Sequence, residues 1–189
     1  MVYRVAIIGH SQVPKSFMQA IGQDVEVRIY RRPGARLERF EEYEEFEDVF
    51  HWQHDLNIIF LGGNDIFHMP ADDIAKQLIA LAGRFVALGQ DATLVMIEPR
   101  QYTGFSKEYA EKYKVEMLRV NRKIKRKTQR NTACYTLINY TAAPYQTGHR
   151  LDGVHFTPLC QAYISLKMIN CMLHHKDNPE HYSMIRQRL

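Results

Sequence analysis

Val5-Ala6-Ile7-Ile8-Gly9-His10-Ser11 is the stretch from which the rest of the chain can be interpreted. Its apolar run stops at Gly9, which predicts a buried first strand that ends there. Ser11 follows where a strand would pass to a helix, and the backbone N–H groups at a helix start favour negative charge. That position suits a nucleophile whose reaction develops an oxyanion. The ordinary alternative is a serine that simply caps the helix.

Further apolar segments recur along the chain and alternate with amphipathic ones. Strands are predicted at residues 25–30, 56–61, 93–97 and 133–138. Helices are predicted at residues 14–21, at 74–88, after Ser106 and from Thr157-Pro158 onward, and the acidic stretch 37–50 predicts a helix or an irregular helical turn. Strands that alternate with helices in this way predict right-handed crossovers, and therefore an α/β fold with a parallel sheet covered on both faces.

Two of the predicted helices carry apolar residues at spacings of three and four, which indicates the faces that they bury. In the helix after Ser106 the residues predicted to face the core are Ala110, Tyr113, Met117, Val120 and Ile124. In the last helix they are Leu159, Tyr163, Leu166, Ile169 and Leu173.

The composition is that of a globular protein: 46% of the 189 residues are hydrophobic and 24% are charged. Residues 1–189 fit a single domain, and the abrupt start of the first strand is compatible with a domain excised from a longer protein. Cys134, Cys160 and Cys171 lack the spacing of a disulfide framework or a zinc site. The sequence shows neither a signal peptide nor a membrane-spanning run, which favours a cytoplasmic or intracellular protein.

Polar and glycine residues follow the predicted strands at the points where a ligand site is expected. Ser11 follows the first strand, Gly34 the second and Asn64 the third, while Asp152 and His155 follow the fifth. The carboxyl ends of parallel strands lie at one edge of a sheet, where ligands of such folds bind. The five residues are therefore predicted to meet at that edge.

These residue types fit nucleophilic catalysis. Asp152 precedes His155 by three residues, so its carboxylate can accept the Nδ1 proton and direct Nε2 toward Ser11. Asn64 can offer its side-chain amide to an oxyanion, and Gly34 its backbone N–H. Each residue also has an ordinary reading: an unrelated surface Asp and His, a Pro-Gly turn at Gly34, and a loop cap at Asn64.

Taken together, the motifs resemble those of the SGNH hydrolases, or GDSL-type esterases, whose name gives Ser, Gly, Asn and His in chain order. The matching residues are Gly9-His10-Ser11, Gly34, Gly62-Gly63-Asn64-Asp65 and Asp152-Gly153-Val154-His155, so the match spans nearly the whole chain. The resemblance implies a three-layer α/β/α sandwich of flavodoxin-like architecture, with a five-stranded parallel sheet. It also implies hydrolysis of acyl or acetyl esters through an acyl-enzyme, with no metal and no cofactor.

Residue by residue, the resemblance makes Ser11 the nucleophile, His155 the base and Asp152 its orienter. It makes the Ser11 amide, the Gly34 amide and the Asn64 side chain the oxyanion donors. The implied substrate is a small or lipid-derived ester. Neither the acyl chain length nor an oligomeric state is predicted from this sequence.

One residue departs from the family pattern, because His10 stands where the usual motif has Asp. The Gly-His-Ser variant, with Arg-Pro-Gly-Ala, Leu-Gly-Gly-Asn-Asp and Asp-Gly-Val-His, resembles the esterase domains in first open reading frames of some animal LINE-type retrotransposons. This narrower resemblance implies a larger native protein with oligomerising and nucleic-acid-binding parts outside this chain.

A cluster of basic residues in the helix after Ser106 suggests a second class of function. The residues predicted to contact a polyanion are Arg119, Arg122, Lys123, Arg126 and Lys127. Such a cluster can bind RNA, DNA or an anionic membrane, and it can equally be the solvated face of a helix. The alternative to an esterase is therefore an esterase-like binding module that contacts a polyanion through this helix.

Overall fold

The computed structural model describes residues 2–13, 24–100, 106–128, 134–137, 152 and 154–178, with 134–137 described by the backbone alone. The helix predicted at residues 14–21 lies outside the described residues.

The described chain is built around one parallel sheet in the order β2-β1-β3-β4-β5. The strands are β1 (Tyr3–Gly9), β2 (Val25–Arg31), β3 (Leu56–Phe60), β4 (Asp91–Val95) and β5 (Cys134–Leu137). Every neighbouring pair of strands is parallel. This order is that of the flavodoxin-like doubly wound sheets, in which the chain reverses direction of travel between β1 and β3. The predicted α/β fold with a parallel sheet is confirmed.

Three long helices accompany the sheet: α1 (Ala71–Ala87), α2 (Lys107–Thr128) and α3 (Pro158–Asp177). The acidic stretch forms two short 3₁₀ helices, Leu37–Glu42 and Glu44–Phe46, with extended backbone at Tyr43 between them. Phe40 stacks on Phe46 at a centroid distance of 4.7 Å, so the break brings two aromatic rings together in the core.

Side chains alternate along the strands and build a core on each face of the sheet. On one face Ala6, Ile8 and Ile59 belong to a buried cluster with residues of α1 and α2. On the other face Ile7 and Ile58 belong to a cluster with residues of α3. Helices therefore cover both faces, and the stripe predicted for α2 is confirmed because all five of its residues are buried.

The face predicted for α3 is wrong at three of its five residues, whereas Tyr163 and Ile169 pack against the core. Leu159, Leu166 and Leu173 are 83%, 52% and 42% exposed, and the buried stripe is instead Cys160, Ile164, Met168 and Met172. Both stripes are apolar, so periodicity could not choose between them. The rotation of α3 about its axis is fixed at the end of the helix. There the ring of buried His175 bonds Asp91 Oδ2 at 2.8 Å and the Tyr3 hydroxyl at 2.6 Å.

Strand β4 begins and ends two residues earlier than predicted. Strand β4 ends at Val95. Beyond it, the Asn121 side chain of α2 forms hydrogen bonds with both the N–H and the carbonyl of Ile97. Its Oδ1 accepts from the Ile97 N–H at 2.8 Å, and its Nδ2 donates to the Ile97 carbonyl at 2.9 Å. A side-chain amide that replaces a strand partner cannot be recognised from hydrophobic periodicity. It fixes the segment that carries Glu98 and Arg100 to the site edge.

Candidate active site

Ser11 lies in a tight turn at the carboxyl end of β1. The turn is closed by a hydrogen bond from the Val13 N–H to the His10 carbonyl at 3.2 Å, and the His10 N–H donates to the Phe60 carbonyl of β3 at 3.3 Å. Gly9 is required here, because a Cβ would lie 2.6 Å from that carbonyl and 2.5 Å from the Val13 side chain. Close approach of the two central strands thus delivers Ser11 to the edge of the sheet.

The structure brings Ser11, His155 and Asp152 into one hydrogen-bonded chain. His155 Nε2 lies 3.1 Å from Ser11 Oγ, and His155 Nδ1 lies 2.7 Å from Asp152 Oδ2. An ionised carboxylate can only accept, so the Nδ1 position carries the proton in the neutral ring and Nε2 is left to accept from the serine hydroxyl. Such an arrangement can remove a proton from the hydroxyl as it attacks an electrophile.

Asp152 is fixed by the residues that follow it. Its Oδ1 accepts from the backbone N–H groups of Val154 and His155, each at 2.9 Å. Partial burial raises the pKa of the Asp152 carboxyl, but the hydrogen bonds from the His155 ring and from these two N–H groups outweigh it and hold that pKa at about 2. The carboxylate is therefore ionised at neutral pH and can stabilise a protonated imidazole.

Gly34 and Asn64 are brought together beside β1. Gly34 has φ +73°, as the third residue of a type II turn demands, and the turn is closed by the Ala35 N–H donating to the Arg32 carbonyl at 3.1 Å. Asn64 Nδ2 donates to the carbonyl of Ala35 at 3.1 Å. The amide carries a second N–H, and no described residue accepts from the Gly34 N–H. The roles of these two N–H groups as oxyanion donors stay predictions.

A half-buried arginine holds the other end of the Asn64 amide. Arg100 Nη2 donates to Asn64 Oδ1 at 3.2 Å and to the Gly63 carbonyl at 3.0 Å, and Nη1 donates to the Tyr109 hydroxyl at 3.3 Å. The guanidinium also lies over the ring of Tyr113, 4.4 Å from its centroid. These contacts fix which end of the Asn64 amide is the donor.

His10, the residue before Ser11, is buried and faces an acid. Its Nδ1 accepts from the Gln12 N–H at 3.3 Å, and its Nε2 lies 3.3 Å from Glu98 Oε1; the His10 and Glu98 residues are each 1% exposed. Burial raises the pKa of Glu98, but the His10 ring and the Arg100 charge outweigh it and lower that pKa below its ordinary value. His10 is thus one member of a buried histidine–carboxylate pair.

Asp65 joins the loops that carry Gly34 and Asn64. Its Oδ1 accepts from the Leu37 N–H at 2.8 Å, and its backbone carbonyl accepts from His68 and Met69. Burial raises the pKa of the Asp65 carboxyl to about 6, against the weaker lowering effect of the Leu37 hydrogen bond. Asp65 therefore connects two loops, and its buried carboxyl group lowers the stability of the folded chain when it is ionised.

Sequence reasoning missed Gln12, Glu98 and Arg100. Glu98-Pro99-Arg100 was interpretable only as the end of a strand, although charged residues at the carboxyl end of β4 share the edge of Ser11. That shared edge was the one signal that could have found them. Gln12 carried no signal, because its partners are backbone groups of residues 154 and 156.

The basic residues predicted to contact a polyanion all lie on α2, and four of the five are exposed. Lys123 pairs with Asp72 at the start of α1, and Arg119 pairs with Glu116. Part of the cluster is thus neutralised within the chain, and contact with nucleic acid or an anionic membrane stays a prediction. Among the described helices, none is both long and apolar enough to cross a membrane.

Comparison with known proteins shows which solved structures share this fold. No family model matches the chain, and no curated protein matches it. Among solved structures, a protein described as an SGNH hydrolase from Slackia heliotrinireducens superposes with a TM-score of 0.69 at 18% identity, over 91% of this chain and 100% of that one. A GDSL-like lipase from Bacteroides thetaiotaomicron gives 0.69 at 17% identity, over 90% and 88%.

The chain has the SGNH hydrolase fold. The psychrotrophic esterase EstA from Pseudoalteromonas sp., solved inhibited by monoethylphosphonate, gives a TM-score of 0.60 at 15% identity, over 93% of this chain and 100% of that one. At such identities the likeness shows the fold alone. The narrower resemblance to retrotransposon esterase domains gains no support from these SGNH structures.

Proposed function

We propose that this chain is a serine esterase of the SGNH type that hydrolyses acyl or acetyl esters through an acyl-enzyme. The observation that carries the proposal is the hydrogen-bonded chain from Ser11 through His155 to Asp152 at the carboxyl edge of the sheet. Nucleophile, base and orienter are the three groups that acyl transfer needs, and they are held at hydrogen-bonding distances.

In the first half-reaction Ser11 Oγ attacks the carbonyl carbon of the ester, and its proton passes to His155 Nε2. The carbonyl oxygen becomes an oxyanion, which accepts hydrogen bonds from the backbone N–H groups of Ser11 and Gly34 and from the Asn64 amide. His155 then gives its proton to the alkoxide oxygen of the leaving group. The C–O bond breaks, an alcohol departs, and an acyl ester remains on Ser11.

In the second half-reaction a water molecule attacks the acyl carbon and gives a proton to His155. The bond to Ser11 Oγ breaks, the carboxylic acid departs, and His155 returns the proton to the serine. Asp152 stays ionised throughout and stabilises the protonated imidazole in both steps.

The solved relatives support this chemistry for proteins of the same fold, since they include an esterase and a GDSL-like lipase. For this chain we propose small or lipid-derived acyl esters as substrates.

The test is a panel of p-nitrophenyl esters of increasing acyl length, run on the wild type, Ser11→Ala and a matched serine variant. Ser165 is the control, because its hydroxyl donates to the Gln161 carbonyl at 2.9 Å within α3. We expect Ser11→Ala to abolish hydrolysis of every ester that the wild type cleaves, and Ser165→Ala to retain it. Hydrolysis that survives in Ser11→Ala at the wild-type rate would overturn the proposal.

A further inference from the structure

Gln12, the residue after the proposed nucleophile, has a buried side chain that reaches the segment carrying the proposed base. It is only 1% exposed. Its side-chain amide nitrogen donates to the carbonyl of Val154, and its Oε1 accepts from the N–H of Phe156 at 3.2 Å. Both ends of one amide are therefore used, and they bind the residues immediately before and after His155.

The ring of His155 has little packing of its own, since its side chain is 41% exposed. Its position depends on Asp152, which is itself 49% exposed, and on the path of the backbone through residues 154–156. Phe156 is fully buried in the core beneath α3, which holds the far end of that path. The near end, at Val154, is held to the nucleophile turn by Gln12.

The nucleophile turn itself does not depend on the Gln12 side chain. It is closed by its own backbone bond between Val13 and His10, and Arg31 Nη2 donates to the Ser11 carbonyl at 3.0 Å. Loss of the Gln12 amide should therefore release the base from the nucleophile while the turn stays in place.

We propose that Gln12 is a positioning residue that sets the distance between Ser11 Oγ and His155 Nε2 by clamping the backbone on both sides of His155. This inference rests on the proposed function, because the clamp matters only if His155 takes the Ser11 proton. A primary amide is the group required, since it donates and accepts at once, which neither a carboxylate nor a thioether of the same length can do.

The decisive variant is Gln12→Met, which keeps the length of the side chain and removes both hydrogen bonds. Misplacement of a base by about 1 Å can cost on the order of 10²-fold in rate, so we expect kcat to fall about 10- to 100-fold with KM little changed. Steady-state kinetics on the ester that the wild type cleaves best measures both parameters.

Gln161→Met is the matched control. Gln161 also bonds the backbone of Phe156, with Nε2 donating to its carbonyl at 3.2 Å, but it lies in the first turn of α3 and, in the described part of the chain, bonds neither Val154 nor the nucleophile turn. We expect Gln161→Met to keep kcat within about twofold of the wild type, because Gln161, unlike Gln12, does not connect the segment of the proposed base to the turn of the proposed nucleophile within the described residues.

A second measurement separates positioning from a general structural role. If Gln12 acts through His155, Gln12→Met should lower the residual rate of His155→Ala by less than about twofold, because groups that act as a unit are not additive. A structural role would instead lower kcat by the same factor in both backgrounds. Should Gln12→Met fail to fold, Gln12→Glu retains the acceptor for the Phe156 N–H and loses the donor to the Val154 carbonyl, so its kcat should fall below that of the wild type and of Gln161→Met. A kcat equal to that of the wild type would overturn the clamp.

The outcomes distinguish this inference from the function on which it rests. Absence of Ser11-dependent ester hydrolysis in the wild type would overturn the proposed function and the clamp together. Ser11-dependent hydrolysis with an unchanged kcat in Gln12→Met, or with an equal loss in Gln161→Met, would overturn the clamp alone.

Discussion

The two sides of Ser11 are held in place by different means. On the side of the proposed base, the side chains of Asp152 and His155 are 49% and 41% exposed. Hydrogen bonds within residues 152–155 hold them, and Gln12 binds the backbone on either side of His155. On the side of the proposed oxyanion donors, Asp65 and Glu98 are 0% and 1% exposed, Asp65 joins two loops, and the half-buried Arg100 bonds Asn64. The first side depends on the hydrogen bonds of exposed side chains, and the second contains charged side chains that are buried away from water.

The difference has physical consequences. An exposed pair gains little from Coulombic attraction because water screens it, so its precision must come from hydrogen-bond geometry. A buried network interacts strongly, but every member must keep its partner because an orphaned buried charge is costly. Substitutions on the base side should therefore change rates with little change in folding, while those on the oxyanion side should change both.

The largest expected effect lies at the centre of the comparison. Ser11→Ala and His155→Ala should each lower kcat by roughly 10⁴-fold or more, and the double variant should be hardly worse than either single one, because nucleophile and base act as a unit. Thermal unfolding should be almost unchanged, since both side chains are partly exposed. Steady-state kinetics measures the loss of kcat, and a melting curve measures the thermal stability. Losses that add in the double variant would show that Ser11 and His155 do not act together.

The oxyanion side should respond to Asn64→Ala with a loss of about 10² to 10³ in kcat and a small change in KM, as removal of one oxyanion donor does. An effect confined to KM would instead make Asn64 a substrate-binding residue. The side of Ser11 that holds Asn64 would then have no role in stabilising an oxyanion.

The buried carboxyl of Asp65 tests whether the oxyanion side carries the electrostatic cost assigned to it. Its folded pKa of about 6 lies above the ordinary value of 3.8, so the folded state binds a proton that the unfolded state has lost between these pH values. Stability should therefore fall as pH rises through this range, by about 2 kcal/mol between pH 4 and pH 6 and by up to about 3 kcal/mol in total.

Asp65→Asn removes that titration and should raise the melting temperature at pH 8 more than at pH 4. Asp177→Asn, at an exposed carboxylate at the end of α3, is the control and should leave the pH dependence unchanged. If Asp65→Asn raised the melting temperature equally at both pH values, the pKa of Asp65 would not be raised by burial in the folded state.

The smallest expected effect concerns Arg100. Arg100→Lys keeps the charge near Glu98 but loses the planar fork, in which Nη2 reaches Asn64 and Gly63 while Nη1 reaches Tyr109, so kcat should fall about tenfold. Arg119→Lys, on the exposed face of α2, should leave kcat unchanged. Equal kinetics for the two variants would mean that Asn64 is oriented without Arg100.

The same contrast explains what the sequence could and could not predict. Ser11, Gly34, Asn64, Asp152 and His155 could be placed at one edge because each follows a strand end, and strand ends are visible in hydrophobic patterns. The neighbours that hold them could not. Gln12 binds backbone groups 142 and 144 residues away, and Glu98 and Arg100 act through a network whose partners lie on other loops.

Errors in the fold have the same physical origin. The inward face of α3 is set by His175 bonding to Asp91 and Tyr3, and the end of β4 is set by the Asn121 amide. Each is a long-range polar contact that decides between local alternatives of nearly equal apolar character. Periodicity alone does not distinguish such alternatives.

Covalent trapping of Ser11 tests the central claim most directly. The wild type, Ser11→Ala and Ser165→Ala are incubated with p-nitrophenyl ethylphosphonate, and the adducts are located by intact mass and peptide mapping. The account predicts one ethylphosphonyl group per chain on Ser11 in the wild type and in Ser165→Ala, with loss of ester hydrolysis in step, and none in Ser11→Ala. Label on another residue, or undiminished hydrolysis by fully labelled enzyme, would contradict it.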